Sequence, residues 1–131
     1  MKTKKILVVD DDEDFLRELS EMLTLSGYAI ISAHDSKMVA QLAQSVNPDV
    51  ILLDLKMNGI DGFEVAQTLK DSSETNHIPI IAMTGYFTSP EYADLIEKYG
   101  FRGCLKKPFN PLDLIIRVES ILANNKDKDW I

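Results

Sequence analysis

Apolar residues along the chain follow two alternating spacings. Short apolar runs, typical of strands buried on both faces, occur five times, at Ile6–Val9, Tyr28–Ala33, Asp49–Leu55, Ile78–Met83 and Phe101–Leu105. After each run, apolar residues recur every three or four positions, as on one face of a helix. Five strands alternating with five helices predict an α/β fold, an open five-stranded parallel sheet with helices on both faces.

Polar residues and turn formers predict where the helices begin and end. Gly27 ends the first helix, and Asn47-Pro48 ends the second. Residues that favour helix N-termini precede the later helices, namely Asp35, Asp61, Ser89 and Asn110. The predicted apolar side of the last helix consists of Leu112, Ile115, Val118, Ile121 and Leu122. Leu112, Leu114, Ile115 and Ile116 cannot all point inward, which indicates an interaction surface there.

Length and composition limit the classes of protein. The 131 residues suit one domain, residues 1–131, with a core at about 4–123 and a polar tail at 124–131. A net charge of −7 argues against direct nucleic-acid binding. The single cysteine, Cys104, excludes an internal disulfide framework and fits a reducing cytoplasm. No apolar stretch is long enough for a membrane span or a secretory signal.

Charged and hydroxyl residues stand at or near the carboxyl ends of four of the five predicted strands. They are Asp10-Asp11-Asp12, Asp54, Thr84 and Lys106-Lys107. The carboxyl ends of parallel strands meet at one edge of the sheet, so these side chains should converge there. Clustered carboxylates repel one another, and all-oxygen ligands suit a hard divalent cation such as Mg²⁺. A carboxylate nucleophile, a cation, a lysine and a hydroxyl are the parts that handle a phosphoryl group.

Several of these residues also have purely structural interpretations. Asp12 and Asp61 suit helix N-caps, and the whole acidic run could be a solvated helix start. Thr84 alone would most often bond to backbone, and Lys106 would be solvated. His34 and His77 lie outside every motif and are expected at the surface.

Four motifs carry a resemblance to a known family. In order along the chain they are ILVVDD, DVILLDLKMNGIDG, IPIIAMTG and LKKPF. From about Lys4 to Leu122, the chain resembles the receiver domain of response regulators in two-component signalling. The resemblance implies a flavodoxin-like (βα)5 fold with strand order 2-1-3-4-5.

The resemblance also assigns roles to individual residues. Asp54 becomes the phosphoacceptor. Mg²⁺, for which Mn²⁺ could substitute, would be held by Asp10, Asp11, Asp54 and the backbone carbonyl of Lys56. Thr84, Gly85 and Lys107 would bind the phosphoryl group, and the Lys107–Pro108 peptide bond would be cis.

Three positions depart from the common family pattern. Asn58 replaces a frequent proline, and Gly85 replaces a commoner alanine. Tyr86, together with Lys56, is a candidate for tuning the lifetime of the aspartyl phosphate. Cys104 stands where many receivers carry a Tyr or Phe whose ring turns inward on phosphorylation. Cysteine has no ring, which puts that coupling in doubt here, and Phe101, Tyr99 and the last helix are alternative candidates for the relay.

The resemblance implies a signalling phosphoacceptor that promotes its own phosphorylation and slow dephosphorylation, and not a turnover enzyme. A sensor histidine kinase or a histidine phosphotransfer protein would supply the phosphoryl group. A surface formed by the fourth helix, fifth strand and fifth helix would then bind a downstream protein, and a phosphorylation-dependent homodimer is consistent with the family. Neither nucleic acid nor a membrane is an expected partner.

Three alternative classes of protein are compatible with an α/β fold. A dinucleotide-binding enzyme would need a glycine-rich loop where this chain has three aspartates. A hydrolase that forms an aspartyl phosphate would need an acid two residues beyond Asp54, where this chain has Lys56. A degenerate receiver that acts as an unphosphorylated docking module is the strongest alternative, and the intact set of acids, Thr84 and Lys107 counts against it.

Overall fold

The structure is a computed structural model that describes residues 3–57, 60–85 and 90–123. Seven strands lie in these ranges, and they are β1 (Lys5–Val9), β2 (Ala29–Ala33), β3 (Val50–Asp54), β4 (Lys56–Met57), β5 (Ile60–Asp61), β6 (Ile80–Thr84) and β7 (Gly103–Lys106). Five helices accompany them, and they are α1 (Glu13–Leu25), α2 (Val39–Val46), α3 (Gly62–Asp71), α4 (Pro90–Lys98) and α5 (Pro111–Leu122).

The five long strands form one parallel sheet in the order β2-β1-β3-β6-β7. Counting only these strands, the order is 2-1-3-4-5, so the predicted fold is confirmed. The sequence pattern did not predict the small antiparallel pair β4–β5, in which Lys56 lies opposite Asp61. Each of its strands has two residues, which is too short for an apolar period to reveal.

Two apolar layers cover the two faces of the sheet. Leu7, Leu53 and Ala82 belong to the layer that packs under α2, α3 and α4. Val8, Leu52 and Met83 face the opposite way and pack under α1 and α5. Side chains of successive strand residues point to opposite faces, so the buried interior of β1, β3 and β6 must be apolar on both faces, with polar residues only at the strand ends. This two-sided burial explains why the strands read as continuous apolar runs.

Helix starts follow the predicted capping residues. The side chain of Asp12 accepts a hydrogen bond from the Phe15 backbone N–H, and Asp61 accepts one from Glu64. Asn110 caps α5 in the same way through the N–H of Leu112. Asp35 caps a short 3₁₀ turn, Ser36–Met38, that leads into α2. Ser89 lies outside the described residues, as does the tail at 124–131.

Some strands begin later than predicted. This happens where a backbone N–H donates to the end of a preceding helix, or where a proline has no N–H to donate. The N–H groups of Tyr28 and Phe101 donate to Leu23 and Ile96 in the preceding helices, so neither residue joins a strand. Pro79 has no N–H to donate, and β6 begins after it, at Ile80, instead of at Ile78.

The predicted apolar side of α5 was partly wrong. Leu114, which was left out, is fully buried, whereas Leu112 is 64% exposed. Val118 and Ile121 are buried as predicted. Leu112 lies in the first turn, and the side that faces the sheet is set by Leu114, Val118 and Ile121 at three- and four-residue spacing. Ile116 is also 64% exposed, so the expectation that not every apolar residue of α5 points inward is confirmed.

Candidate functional site

The site begins where β1 and β3 end. Asp10 directly follows β1, and its backbone N–H donates to the Ala33 carbonyl, which fixes it at the sheet edge. Asp54 is the last residue of β3, in register with Met83 of β6. The side chains of Asp10, Asp54 and the more exposed Asp11 each offer a carboxylate oxygen, and these oxygens lie within 4.8 Å of one another. Parallel pairing of β1 with β3 therefore produces the predicted acidic cluster.

Lys107 lies beside two of these carboxylates. Its Nζ donates to Asp10 Oδ2 at 2.5 Å and lies 3.6 Å from Asp54 Oδ2. The Lys107 backbone N–H donates to the Thr84 carbonyl at 2.7 Å, and the Lys107–Pro108 bond is cis. The loop after β7 is thereby attached to the end of β6, and it places one positive charge against the acidic cluster.

The carboxylates of Asp10 and Asp54 also accept bonds from nearby backbone. Asp10 Oδ1 accepts from the Asp12 N–H at 3.0 Å, and Asp54 Oδ1 accepts from the Lys56 N–H at 3.3 Å. Both bonds span two residues, so each loop turns tightly around its own carboxylate. The second oxygen of each carboxylate faces Lys107.

The pKa of Asp54 is raised from its usual 3.8 to about 6, and burial of the carboxyl is the largest cause. The negative charge of Asp10 also contributes to this rise, and Asp11 has a smaller effect in the same direction. Lys107 and the Lys56 N–H lower it. Burial and like charge win, so the site holds an ionised carboxylate at a cost, and added positive charge would relieve that cost.

The residues present fit a divalent cation. Asp10, Asp11 and Asp54 supply only oxygen ligands, which suit Mg²⁺. After burial, the negative charge of Asp10 is the next largest cause of the raised pKa of Asp54, and a bound cation would offset both. The partial exposure of Asp11 leaves the site open to water, which Mg²⁺ usually retains as ligands. The role of the Lys56 carbonyl as a ligand stays a prediction.

Thr84 and Gly85 lie at the end of β6. Thr84 is fully buried, and its backbone is in register with Lys106 of β7. Gly85 is exposed, and a Cβ added there would lie 3.8 Å from Lys107 Cβ, an ordinary contact. Thr84, Gly85 and Lys107 are therefore neighbours, and their role in phosphoryl binding stays a prediction. Lys106 is exposed, as expected.

Gly62 supports the phosphoacceptor, and the sequence reasoning overlooked it. A Cβ at this position would lie 2.5 Å from the Asp54 backbone oxygen and 2.7 Å from Leu55 Cα. The Gly62 N–H also donates to the Leu55 carbonyl at 2.7 Å. Only a residue without a side chain permits this approach. The available signal was the glycine directly after Asp61, at the start of a helix where other residues would serve better.

Two aromatic side chains at the site were also missed. The ring centroid of Phe15 lies 4.3 Å from Lys107 Nζ, and Phe109 packs edge-on against Phe15. Phe15 follows the helical spacing of α1, which indicates core packing, and its contact with Lys107 has no signal in that spacing.

Cys104 belongs to the apolar layer that packs under α2, α3 and α4. It is 2% exposed and is in register with Ala82 of β6. Burial raises the pKa of its thiol to about 11, although Arg117 and Lys106 act in the opposite direction. The thiol therefore stays protonated at neutral pH and packs as a small apolar group.

An aromatic cluster lies close to Cys104 in the same apolar layer. The Phe63 ring lies 5.2 Å from Tyr99 and 6.0 Å from Phe101, measured between centroids. These contacts join α3 to the segment between α4 and β7. Phe101 is 1% exposed, so it already occupies the interior.

The remaining candidates are peripheral or undescribed. His34 and His77 are exposed, as expected, and His77 Nε2 pairs with Asn47 Oδ1 at 3.1 Å. Tyr86 and Asn58 lie outside the described residues, so the proposed effect of Tyr86 on phosphate lifetime rests on sequence alone. In the described ranges, no helix is both long and apolar enough to cross a membrane.

The fold and the site together define a class, a flavodoxin-like α/β domain with three carboxylates and a lysine at the carboxyl edge of its sheet. The chain belongs to the response regulator receiver domain family, whose model matches residues 6–119. This assignment makes it a receiver domain of two-component signalling, a phosphoacceptor family.

Individual relatives agree with the family assignment. The response regulator PleD of Caulobacter vibrioides is 38% identical over 117 residues, which cover 89% of this chain and 26% of PleD. The chain thus spans about a quarter of that relative's length. The polar-differentiation response regulator DivK of Brucella ovis is 30% identical, over 93% of this chain and 98% of DivK.

A solved structure gives the same result. The chemotaxis response regulator CheY4 of Vibrio cholerae superposes with a TM-score of 0.84 at 32% identity. The match covers 92% of this chain and 99% of CheY4. The fold and the sequence therefore place the chain in one family.

Proposed function

We propose that this chain receives a phosphoryl group on Asp54 from a phosphorylated histidine of a sensor kinase or phosphotransfer protein. The observation that carries the proposal is the position of Asp54. Asp54 is 6% exposed, and its carboxylate lies beside those of Asp10 and Asp11. Lys107 Nζ is 3.6 Å from Asp54 Oδ2. A buried carboxylate beside a cation site and a lysine is suited to attack a phosphoryl group, whose negative oxygens the cation and the lysine would neutralise.

The transfer proceeds as an in-line displacement. An oxygen of the ionised Asp54 carboxylate forms a bond to phosphorus while the phosphorus–nitrogen bond of the donor histidine breaks, and the nitrogen keeps that electron pair. Mg²⁺ held by Asp10, Asp11 and Asp54 would neutralise the phosphoryl oxygens. Lys107 Nζ donates to one phosphoryl oxygen after leaving part of its contact with Asp10, and the Thr84 hydroxyl donates to another.

The incoming charge is the basis of the proposed switch. A phosphoryl group adds nearly two negative charges next to Lys107 and Thr84. The two residues are already joined by the Lys107 N–H and the Thr84 carbonyl, so a shift of Thr84 reaches both β6 and β7. Loop arrangements that bring Thr84 and Lys107 towards the phosphoryl group become more populated.

We infer that the surface formed by α4, β7 and α5 binds a downstream protein. Leu112 and Ile116 are four residues apart on α5 and both 64% exposed, which gives this helix an apolar face directed to solvent. Tyr92 of α4 is half-buried. A homodimer that forms on phosphorylation would use the same surface.

We further propose that residues 1–131 constitute a single receiver domain that works in the cytoplasm as a signalling protein. The two apolar layers that enclose the sheet support a single core. The proposed domain binds neither nucleic acid nor a membrane, in keeping with a net charge of −7.

The proposal is tested by incubating the protein with acetyl phosphate and Mg²⁺ and recording its intact mass. We expect one added phosphoryl group in the wild type, none in Asp54→Asn, and none when EDTA replaces Mg²⁺. An equal adduct on Asp54→Asn would contradict the assignment of Asp54. Absence of any adduct on the wild type would favour an unphosphorylated docking module.

A further inference from the structure

The Lys107 ammonium has two different environments. On one side lie the carboxylates of Asp10 and Asp54, at 2.5 Å and 3.6 Å. On another side lies the Phe15 ring, with its centroid 4.3 Å from Nζ. We propose that Phe15 is a positioning residue for Lys107. Its ring holds the Lys107 ammonium towards the carboxylates and towards the place that a phosphoryl oxygen would occupy. This inference rests on the proposed transfer to Asp54.

Phe15 is itself held in place. Its ring lies 6.0 Å from that of Phe109, at an interplanar angle of 87°, which is the favourable edge-to-face arrangement. Phe15 is in the first turn of α1, just after Asp10 and Asp11, and Phe109 is two residues after Lys107. The aromatic pair therefore joins the segment that carries the acids to the loop that carries the lysine.

A ring suits this position for a physical reason. Lysine is a compact charge on a flexible four-carbon stem, and it keeps a direction only if its surroundings restrain it. An aromatic face attracts the ammonium electrostatically. Unlike a hydrogen-bond acceptor, it does not compete with the phosphoryl oxygens for the N–H groups of Lys107. The Lys107 side chain is 22% exposed, so the attraction acts partly shielded from water. An aliphatic side chain would fill the space but supply no such attraction.

The first test measures the apparent second-order rate constant for phosphorylation by acetyl phosphate with saturating Mg²⁺. Phe15→Leu keeps an apolar side chain and removes the ring, and we expect it to react about three- to tenfold more slowly. Phe15→Tyr keeps the ring face and should stay within about twofold of the wild type. In a Lys107→Met background, Phe15→Leu should cause no further loss, because the group that it positions is gone.

A second test needs no phosphorylation. Trace labelling of amines with acetic anhydride, followed by peptide mapping, gives the ratio of labelled Lys107 to labelled Lys106, its exposed neighbour and internal control. Loss of the ring should uncover the ammonium and raise this ratio in Phe15→Leu, whereas Phe15→Tyr should leave it unchanged. A purely structural role for Phe15 would not alter one lysine relative to the next.

The two tests separate the two claims. If the wild type takes no phosphoryl group while the labelling ratio rises in Phe15→Leu, the proposed function is contradicted and the placement of Lys107 by Phe15 is supported. If the wild type is phosphorylated and Phe15→Leu reacts at the same rate, the positioning role is overturned. A Phe15→Tyr variant that is as slow as Phe15→Leu would overturn it too, because the ring face would then be irrelevant.

Discussion

Two regions of the protein interior differ in polarity, namely the carboxyl edge of the sheet and the surroundings of Cys104 on β7. At the carboxyl edge, Asp10, Asp54 and Thr84 are polar side chains almost or entirely removed from solvent. Around Cys104, one strand further along the sheet, the interior is filled by apolar and aromatic groups such as Phe101. The first region holds charges at a cost in stability, and the second supplies ordinary packing. The unfavourable burial of charge is therefore confined to the carboxyl edge of the sheet, and apolar packing elsewhere in the interior supplies stability.

The largest expected effect comes from closing the backbone gap beside Asp54. In Gly62→Ala, the new Cβ would lie 2.5 Å from the Asp54 carbonyl oxygen, which is backbone and cannot swing away. We expect a loss of about 3 kcal/mol or more in the free energy of unfolding, measured by urea denaturation. Stability equal to the wild type would show that the loop at Asp54 can shift without cost, contrary to the close approach described above.

Removing the charge of Asp54 should stabilise the protein without Mg²⁺. The folded-state pKa of about 6 exceeds the usual 3.8, so the folded protein binds more protons than the unfolded chain between these values, and stability falls as pH rises through that range. Asp54→Asn carries no such penalty. We expect it to be more stable by about 1–2 kcal/mol at pH 7, after allowance for solvent screening.

The pH dependence provides the control for that variant. The difference between Asp54→Asn and the wild type should shrink as pH falls from 6 towards 4, because the wild-type carboxyl then becomes neutral. Mg²⁺ should also reduce the difference at pH 7, because it stabilises only the wild type's complete set of carboxylates. A difference that is constant with pH would mean that burial of this carboxylate carries no cost.

The apolar region should respond to a change of volume and not to pH. Cys104→Ala removes a buried sulfur and should cost about 1 kcal/mol in unfolding free energy, with phosphorylation of Asp54 unchanged. The same destabilisation is expected at pH 6 and pH 8, because the raised thiol pKa, about 11, keeps the group neutral at both. Loss of phosphorylation in Cys104→Ala would show that the two regions are coupled more directly than their packing indicates.

The smallest effect is expected at the second glycine of the site. A Cβ on Gly85 would meet Lys107 Cβ at 3.8 Å, an ordinary contact. Gly85→Ala should therefore change stability by no more than about 0.5 kcal/mol, and the same urea measurement provides a matched comparison with Gly62→Ala. A large loss of unfolding free energy in Gly85→Ala would mean that the loop after β6 needs a backbone conformation that only glycine adopts easily, and that free space for a Cβ is not the deciding factor.

Features that depend on one strand or one cap could be predicted from sequence. Ile6–Val9 and Val50–Asp54 are buried on both faces and so read as continuous apolar runs, and Asp12, Asp61 and Asn110 are capping residues whose partners lie two or three positions away. Once the parallel order was predicted, convergence of the acids at one edge followed from topology.

Features that depend on contacts between distant segments could not be predicted from sequence. Gly62 is needed because α3 approaches the backbone of Asp54, and the sequence shows the glycine but not the approach. Phe15 contacts Lys107 across 92 positions of sequence, and its helical spacing predicted only core packing. Leu112 was placed on the wrong side of α5 because its helix alone offers several apolar stripes, and the sheet decides among them.

The most direct test of the central claim identifies the phosphorylated residue chemically. Treatment of the phosphorylated protein with borohydride reduces an aspartyl phosphate to homoserine, which peptide mapping by mass spectrometry can locate. We expect homoserine at position 54 in the wild type after incubation with acetyl phosphate and Mg²⁺, and nowhere in Asp54→Asn. Homoserine at position 10 or 11, with Asp54 unmodified, would contradict the role of Asp54 as the phosphoacceptor.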